Sequence, residues 1–230
     1  KQFNYIGDPA NTVRIFNELE VDELCFLDIT ATIENRGPNY KVLSEIANEC
    51  FMPLSYGGGI KNMDQAQKVL GMGFEKVIVN SAAFNDPELI PQIASKYGNQ
   101  SVVGSLDVKK VFLGGEKVIS NSGSKNTGKN PVEWAKELER MGVGEIIITS
   151  IDKEGTWDGY DVNLVKSICE AVNVPVIANG GCGSVEDFKE VFALGGVQAA
   201  AVGSMVVFQK KGMGVLVNYP QNEVELIKKL

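Results

Sequence analysis

The feature that most constrains the fold of this chain is a set of residues that recurs 123 positions further along. At this single offset, identical residues pair without a gap at predicted turns and strand ends: Gly57 with Gly180, Gly58 with Gly181, Asp64 with Asp187, Gly73 with Gly196, Val79 with Val202, and Ser81 with Ser204. Chance does not account for so many identities in one register. The pattern therefore indicates an internal duplication, and the chain is expected to fold as two related halves.

Short apolar runs alternate with amphipathic segments, which predicts alternating strands and helices. Strands are expected at 23–29, 52–56, 76–80, 101–109, 145–152, 174–178 and 199–203, and helices at 8–20, 39–49, 62–72, 87–97, 131–142, 161–171, 184–194 and 222–230. A hairpin is expected around Gly114 and Gly115. Continuous apolar strands that alternate with helices indicate a parallel sheet covered on both faces.

The repeat length sets the expected number of strands. One half holds four strand–helix units, so two halves predict a single-domain α/β fold, a (βα)8 TIM barrel with half-barrels at about 1–97 and 98–230. Seven strands are recognisable. The repeat partner of Asp107, on the fifth barrel strand, would fall upstream of Lys1, so we expect the first strand to be missing from this chain. Functional residues are expected at the carboxyl ends of the strands.

Two glycine-rich turns, each followed by a polar turn one strand later, are the clearest candidate binding sites. Glycine allows close approach of a ligand to the backbone, and backbone amides beside a hydroxyl bind phosphate. A lone glycine pair can merely complete a turn, but this arrangement occurs twice. The sequence predicts two phosphate cradles for a small molecule with a phosphate at each end: Gly58, Gly59, Asn80 and Ser81 in one, and Gly180, Gly181, Gly203 and Ser204 in the other.

Aspartates end three of the predicted strands. Asp107 is the leading catalytic candidate, because a carboxylate at the barrel mouth faces the ligand and can serve as a general acid or base. The alternative for Asp107 is a structural role in capping a loop. Asp28 and Asp152 end the second and sixth strands. Each of them either lines the ligand pocket or has a structural role.

Two further groups of charges have both a functional and a structural interpretation. The polar loop 122–128 carries Lys125 and is either a lid over the substrate or a solvated loop. Glu23, Lys76 and Glu145 each precede a strand, which places them at the opposite mouth of the barrel. Charges there are usually solvated, and the functional alternative is a charged ring that gates a route along the barrel axis.

Composition excludes several classes of protein. The net charge of −7 argues against a nucleic-acid partner. The sequence has neither an apolar run long enough to span a bilayer nor a signal-peptide pattern, so we expect no membrane association and a cytoplasmic location. It contains no histidine, which excludes Ser-His-Asp nucleophiles and HExxH zinc sites. The four cysteines lack CxxC spacing, and we expect them to be reduced core residues, with no metal and no cofactor.

In order along the chain, several motifs resemble those of the cyclase subunit of imidazole glycerol phosphate synthase, the HisF family. They are DELCFLDITAT, YGGGI, KVIVNSAA, LDVK, SGSKNTG, GEIIITSIDKEGTWDGYD, NGGCGSVEDF and the Gly203-Ser204 turn. In that family, a barrel takes ammonia from a separate glutaminase subunit. It uses the ammonia to cleave and cyclise a bis-phosphorylated aminoimidazole carboxamide nucleotide in histidine biosynthesis.

The resemblance also implies residue roles. Asp107 matches an essential acid/base aspartate, and Lys125 and Thr127 of the SGSKNTG loop join the substrate-binding residues. Glu23, Lys76 and Glu145 match three members of a four-residue ammonia gate. The glutaminase, a HisH-like partner, is expected to dock at the amino-terminal face of the barrel.

The end of the chain departs from the main family. The segment VVFQKKGMGVLVNYP is similar to a paralogous branch associated with lipopolysaccharide and other glycan amidation, in which the barrel supplies ammonia to a sugar-modifying enzyme. Three interpretations follow: an ammonia-dependent cyclase, a non-cyclising barrel that binds a phosphate ligand and conducts ammonia, and a related phosphoribosyl isomerase. The SGSKNTG loop and the charged strand starts argue against the isomerase.

Overall fold

The computed structural model describes residues 5–221. Its strands are β1 (Leu24–Leu27), β2 (Leu54–Gly57), β3 (Lys76–Val79), β4 (Val102–Val111), β5 (Gly115–Ser120), β6 (Lys125–Asn126), β7 (Glu145–Ser150), β8 (Val176–Asn179) and β9 (Ala199–Ala200). Its helices are α1 (Pro9–Glu18), α2 (Tyr40–Glu49), α3 (Met63–Gly71), α4 (Ser81–Asn85), α5 (Leu89–Tyr97), α6 (Pro131–Met141), α7 (Val162–Cys169), α8 (Val185–Gly195) and α9 (Ser204–Val207). The helix predicted at 222–230 lies outside the described residues.

One curled sheet organises the molecule. Its main path runs β1-β2-β3-β4-β7-β8-β9, and every neighbouring pair on this path is parallel. Helices alternate with these strands, which confirms the predicted (βα)8 barrel fold and its seven recognisable strands. The expected hairpin is also present, because β4 continues past the rim of the sheet and pairs antiparallel with β5, which pairs with β6.

The two faces of the sheet carry different residues, because successive side chains of a strand point to opposite sides. The main hydrophobic core fills the space between the outer face and the helices, with Tyr56, Leu106 and Ile146 fully buried. A second, smaller cluster of Ile78, Val103 and Ile147 lies on the inner face. The inner face therefore belongs to the barrel interior, where the candidate site residues are found.

Sequence signals mark several helix boundaries. Helix α6 begins with Asn130, whose side chain accepts hydrogen bonds from the Val132 and Glu133 amides, and ends at Gly142 in the left-handed conformation. Helix α8 begins with a capping box between Ser184 and Asp187. These local devices fix where each helix starts relative to the strand before it, and so they fix the shape of the turns at the barrel mouth.

The structure corrects the register of the repeat in its first part. Gly58 and Gly59 correspond to Gly180 and Gly181, since both pairs have positive φ and follow β2 and β8 directly, so the local offset is 122. The two halves return to an offset of 123 at β3 and β9, because α8 has two more residues than α3 and the turn after α8 has one fewer than the turn after α3. The sequence analysis also missed four short elements: α4, α9, β6 and a 3₁₀ helix at Asn99–Ser101.

Candidate active site at the barrel mouth

Asp107 lies at the centre of a polar cluster at the carboxyl end of the sheet. The Ser105 hydroxyl donates to its Oδ1 at 3.5 Å, and Asn80 and Thr149 also form hydrogen bonds with the carboxylate. Burial raises the pKa of Asp107 to about 6, although these hydrogen bonds act in the opposite direction. A carboxyl group with this pKa is available in both protonation states near neutral pH, as general acid/base chemistry requires.

The cluster extends across neighbouring strands. The Asn80 amide donates to Ser105 Oγ at 3.2 Å, and the Asn179 amide donates to Thr149 Oγ1 at 3.0 Å. Asn80 had been predicted as a site residue, but Ser105, Thr149 and Asn179 had not. Each of them is a polar residue on the inner face near the end of an apolar strand. This pattern can be recognised only when the structure shows which side chains of each strand point to the barrel interior.

Asp28 occupies a different environment. Its carboxylate forms a bidentate pair with Arg36, at 2.6 and 2.9 Å, and also accepts hydrogen bonds from Thr30 and the Ala31 amide. Burial alone would raise the pKa of Asp28, but the hydrogen bonds and charge of Arg36 hold it below its ordinary value. The structure therefore shows Asp28 organising its own loop.

The glycine pairs are required by packing within the chain. A Cβ at Gly58 would lie 2.5 Å from the carbonyl oxygen of Asp28, and a Cβ at Gly181 would collide with the carbonyl oxygen of Gly159. In each half, the glycines let the loop from the preceding strand lie against the turn. A Cβ at Gly59 or at Gly180 would likewise contact the loop from the preceding strand, so close packing is sufficient to explain all four glycines.

The second turn of each predicted cradle has a different character. Gly203 has φ −118° and ψ −82°, close to the values of Asn80 at the equivalent position, so its backbone does not require glycine. A Cβ at Gly203 would meet nothing within 4 Å among the residues that the structure describes. The space beside Gly203 is therefore open. Ser81 Oγ, in contrast, already accepts a hydrogen bond from the Asn121 amide at 2.9 Å.

The predicted substrate contacts Lys125, Thr127 and Asp152 lie on or against the ribbon formed by β4, β5 and β6. Lys125 is exposed on β6, and the Thr127 hydroxyl donates to the Val118 carbonyl at 2.7 Å. Asp152 accepts a hydrogen bond from the Lys110 amide at 2.8 Å. Thr127 and Asp152 thus stabilise the ribbon, and the loop 122–128, predicted as either a lid or a solvated loop, forms part of a β-hairpin.

At the opposite end of the barrel, the three predicted gate residues meet in one ion cluster. Lys76 Nζ lies 2.7 Å from Glu23 Oε2 and 2.9 Å from Glu145 Oε1. The Lys76 side chain is only 15% exposed. Burial alone would lower its pKa, but the hydrogen bonds and charges of the two glutamates raise it above its ordinary value. Lys76 therefore links strands β3 and β7, which are not neighbours in the sheet.

An apolar collar separates the ion cluster from the polar cluster around Asp107. It consists of inner-face residues from five strands: Cys25, Ile78, Val103, Ile147 and Ile177. Burial raises the pKa of the Cys25 thiol to about 12, so the collar carries no charge at neutral pH. The interior thus changes from charged to apolar to polar along the barrel axis.

Within residues 5–221, no group of three or more cysteine, aspartate or glutamate side chains is placed to hold a metal ion. None of the helices in that range is long and apolar enough to cross a membrane.

Comparison with known proteins identifies the family. The profile of histidine biosynthesis proteins matches residues 1–211. The chain is 50% identical to a provisionally named imidazole glycerol phosphate synthase subunit hisF2 of Pseudomonas aeruginosa, over 96% of this chain and 88% of that protein. It is 46% identical to imidazole glycerol phosphate synthase subunit HisF of Lactococcus lactis, over 81% and 73% of the two chains. The chain therefore belongs to the histidine biosynthesis protein family, in the group of imidazole glycerol phosphate synthase HisF subunits.

Proposed function

We propose that this chain is the ammonia-using cyclase subunit of an imidazole glycerol phosphate synthase, a glutamine amidotransferase complex. Its substrate would be a bis-phosphorylated aminoimidazole carboxamide nucleotide of histidine biosynthesis. The observation that carries the proposal is the order of residues along two inner strand faces: Lys76, Ile78 and Asn80 on one, and Glu145, Ile147 and Thr149 on the other. Each runs from charged to apolar to polar, which suits the passage of a small neutral molecule towards Asp107.

Asp107 is the proposed acid/base residue. Its pKa of about 6 allows the carboxylate to accept a proton from an incoming amine and to return it to a leaving group. The hydrogen bonds from Ser105 and Thr149 fix the orientation of the carboxylate, so that little reorganisation is needed during proton transfer.

The two ends of the substrate are proposed to bind in the two cradles. Gly203 supports this assignment, because neither its backbone conformation nor its packing explains why the residue is glycine. A ligand oxygen that approaches the backbone closely does explain it. The Ser204 hydroxyl, next along the chain, is a suitable phosphate donor.

Ammonia is proposed to enter at the ion cluster, delivered by a HisH-like glutaminase that docks at the amino-terminal face of the barrel. Lys76 closes the axis while it bridges Glu23 and Glu145, so a path requires its side chain to move. Beyond the cluster, the apolar collar disfavours ammonium more strongly than neutral ammonia, because burying an unpaired charge is costly. The collar would therefore protect Asp107 from bulk solvent while ammonia passes.

The decisive experiment measures turnover of the bis-phosphorylated aminoimidazole carboxamide nucleotide by the full-length protein with ammonium as the nitrogen source. We expect turnover that Asp107→Asn lowers by about a hundredfold or more, the scale of a lost general acid or base. The matched control is Asp158→Asn, because Asp158 is an exposed aspartate of the β7–α7 loop. Equal turnover in the Asp107→Asn variant and the wild type would contradict the proposal.

A second candidate function follows from the segment VVFQKKGMGVLVNYP, which is similar to the glycan-amidation branch. The chain matches the hisF2 relative over 96% of its length but the Lactococcus HisF subunit over 81%. A non-cyclising barrel that conducts ammonia for glycan amidation is consistent with that difference. Ligand binding without any turnover, together with ammonia delivery to a sugar-modifying partner, would favour this alternative.

A further inference from the structure

Two lysines face each other directly on the ribbon that rises from the barrel mouth. Lys109 of β4 and Lys117 of β5 are partners in the antiparallel register. Side chains at such positions begin about 5 Å apart, and like charges there destabilise a sheet. Neither lysine has an ion-pair partner among residues 5–221. Within residues 5–221, two uncompensated positive charges therefore lie side by side.

This lysine pair lies on the same side of the ribbon as Asp107. Residues two apart on a strand share a face, so Asp107 and Lys109 point to the same side. Directly opposite partners also share a face, which adds Lys117 and Ile119. Val108, on the other face, is buried in the core against the helices. The lysine pair is thus on the barrel-mouth side.

The other face of the ribbon shows what an ordinary charge arrangement looks like. Lys110 is the register partner of Glu116, with 3.9 Å between their charged atoms, and its Nζ lies 3.4 Å from Asp161. Lys109 and Lys110, which are consecutive on β4, therefore differ sharply in the charges that lie opposite them. Lys110 is paired with acids on the helix side, and Lys109 is opposed by another lysine on the mouth side.

The surroundings of Lys109 suit a ligand. It lines a cleft of about 350 Å³ between the ribbon and the β5–β6 turn, together with Lys110, Phe112 and Asn126, whereas Lys117 stands beside this cleft as the register partner of Lys109. The ribbon is also tied to the first cradle, because the Asn121 amide, directly after β5, donates to Ser81 Oγ. The two cradles contain glycines, an asparagine and serines, but no positive charge. A doubly charged phosphate in a cradle therefore meets a positively charged side chain only if one reaches it from outside the cradle.

We propose that Lys109 and Lys117 together bind a phosphate group of the ligand at the barrel mouth, and supply the positive charge that the cradles lack. This inference rests on the proposed function, in that it requires a phosphorylated ligand at this mouth. A phosphate between the two ammonium groups would remove their mutual repulsion. The cost of the like-charge pair in the free protein is then offset when the ligand binds.

The test uses inorganic phosphate as the probe and the full-length protein at low ionic strength, with calorimetric titration and thermal unfolding. Lys109→Gln and Lys117→Gln should each weaken phosphate binding about fivefold, the effect of one charge near 4 Å in water. Each should also raise the unfolding midpoint without phosphate, because the repulsion is relieved. Lys136→Gln is the matched control, because Lys136 lies on α6 outside the cleft and pairs with Glu133 at 3.2 Å. It should lower the midpoint and leave phosphate affinity unchanged.

A fourth variant separates this inference from the proposed function. Gly203→Val places a side chain into open space, so it should fold and should block the second cradle alone. If Gly203→Val weakens phosphate binding and Lys109→Gln does not, the proposal that the lysine pair binds phosphate is contradicted, and the proposal that the second cradle binds phosphate is retained. If neither variant changes phosphate affinity, both proposals fall. A lower unfolding midpoint for Lys109→Gln with unchanged affinity would also overturn the lysine pair.

Discussion

Replacing Asp107 by asparagine should stabilise the protein near neutral pH while it removes activity. The pKa of Asp107 is raised in the folded chain from 3.8 to about 6. The folded state therefore holds this proton more tightly than the unfolded state, and stability falls as pH rises from about 4 to 6. A shift of roughly two units corresponds to about 3 kcal/mol at pH 7, an upper value because asparagine also loses part of the hydrogen bonding of the carboxylate.

The assay is urea unfolding of the wild type and the variant at pH 8, 6 and 4. We expect Asp107→Asn to be more stable by about 1–3 kcal/mol at pH 8, and the difference should shrink towards zero at pH 4, where folded Asp107 is protonated. Asp158→Asn is the control substitution, and it should change the free energy of unfolding little because the side chain is 66% exposed. A variant less stable than the wild type at pH 8 would refute the reasoning that burial dominates at this carboxylate.

Two further substitutions test the charged contacts. Lys76→Met leaves Glu23 and Glu145 close together without their shared cation, so it should lower the free energy of unfolding by about 1–2 kcal/mol at pH 7. Urea unfolding at high ionic strength, which screens the repulsion between the two glutamates, should show a smaller loss, and an equal loss at low and high ionic strength would contradict this. Arg36→Ala should lower the free energy of unfolding at pH 7, because the partly buried Asp28 carboxylate loses its bidentate partner. The lowered pKa of Asp28 predicts that this stabilisation is lost as pH falls below about 4, and persistence of the full difference there would count against the ion pair.

The sequence predicted the strands and helices of the barrel well, because their signals are local. Apolar runs of four to six residues and helix caps such as Asn130 and Ser184 are readable without any tertiary contact. The elements that were missed are the short ones. Helix α4, helix α9 and strand β6 have five residues or fewer, and segments of that length carry too little periodicity to be distinguished from turns.

The candidate site was only partly predictable, because its residues are selected by which face of a strand they occupy. Asp107 was recognised from its position near a strand end, whereas Ser105 and Thr149 looked like ordinary strand residues. The sequence placed Asp28 and Asp107 at strand ends and favoured Asp107 as the catalytic candidate, with Asp28 left as either a pocket residue or a structural one. The structure shows the physical difference between them, since Arg36 pairs with the Asp28 carboxylate and burial raises the pKa of Asp107.

The sequence by itself determined the class of fold, the internal repeat and the chemical character of each strand end, because these depend on residue order and period. The tertiary structure alone decided which residues meet. It brought Lys76, Glu23 and Glu145 together across the interior from three strands, and it placed Lys109 opposite Lys117. Such contacts depend on the curl of the sheet and the register of its strands, which arise from packing over the whole barrel and which no local pattern encodes.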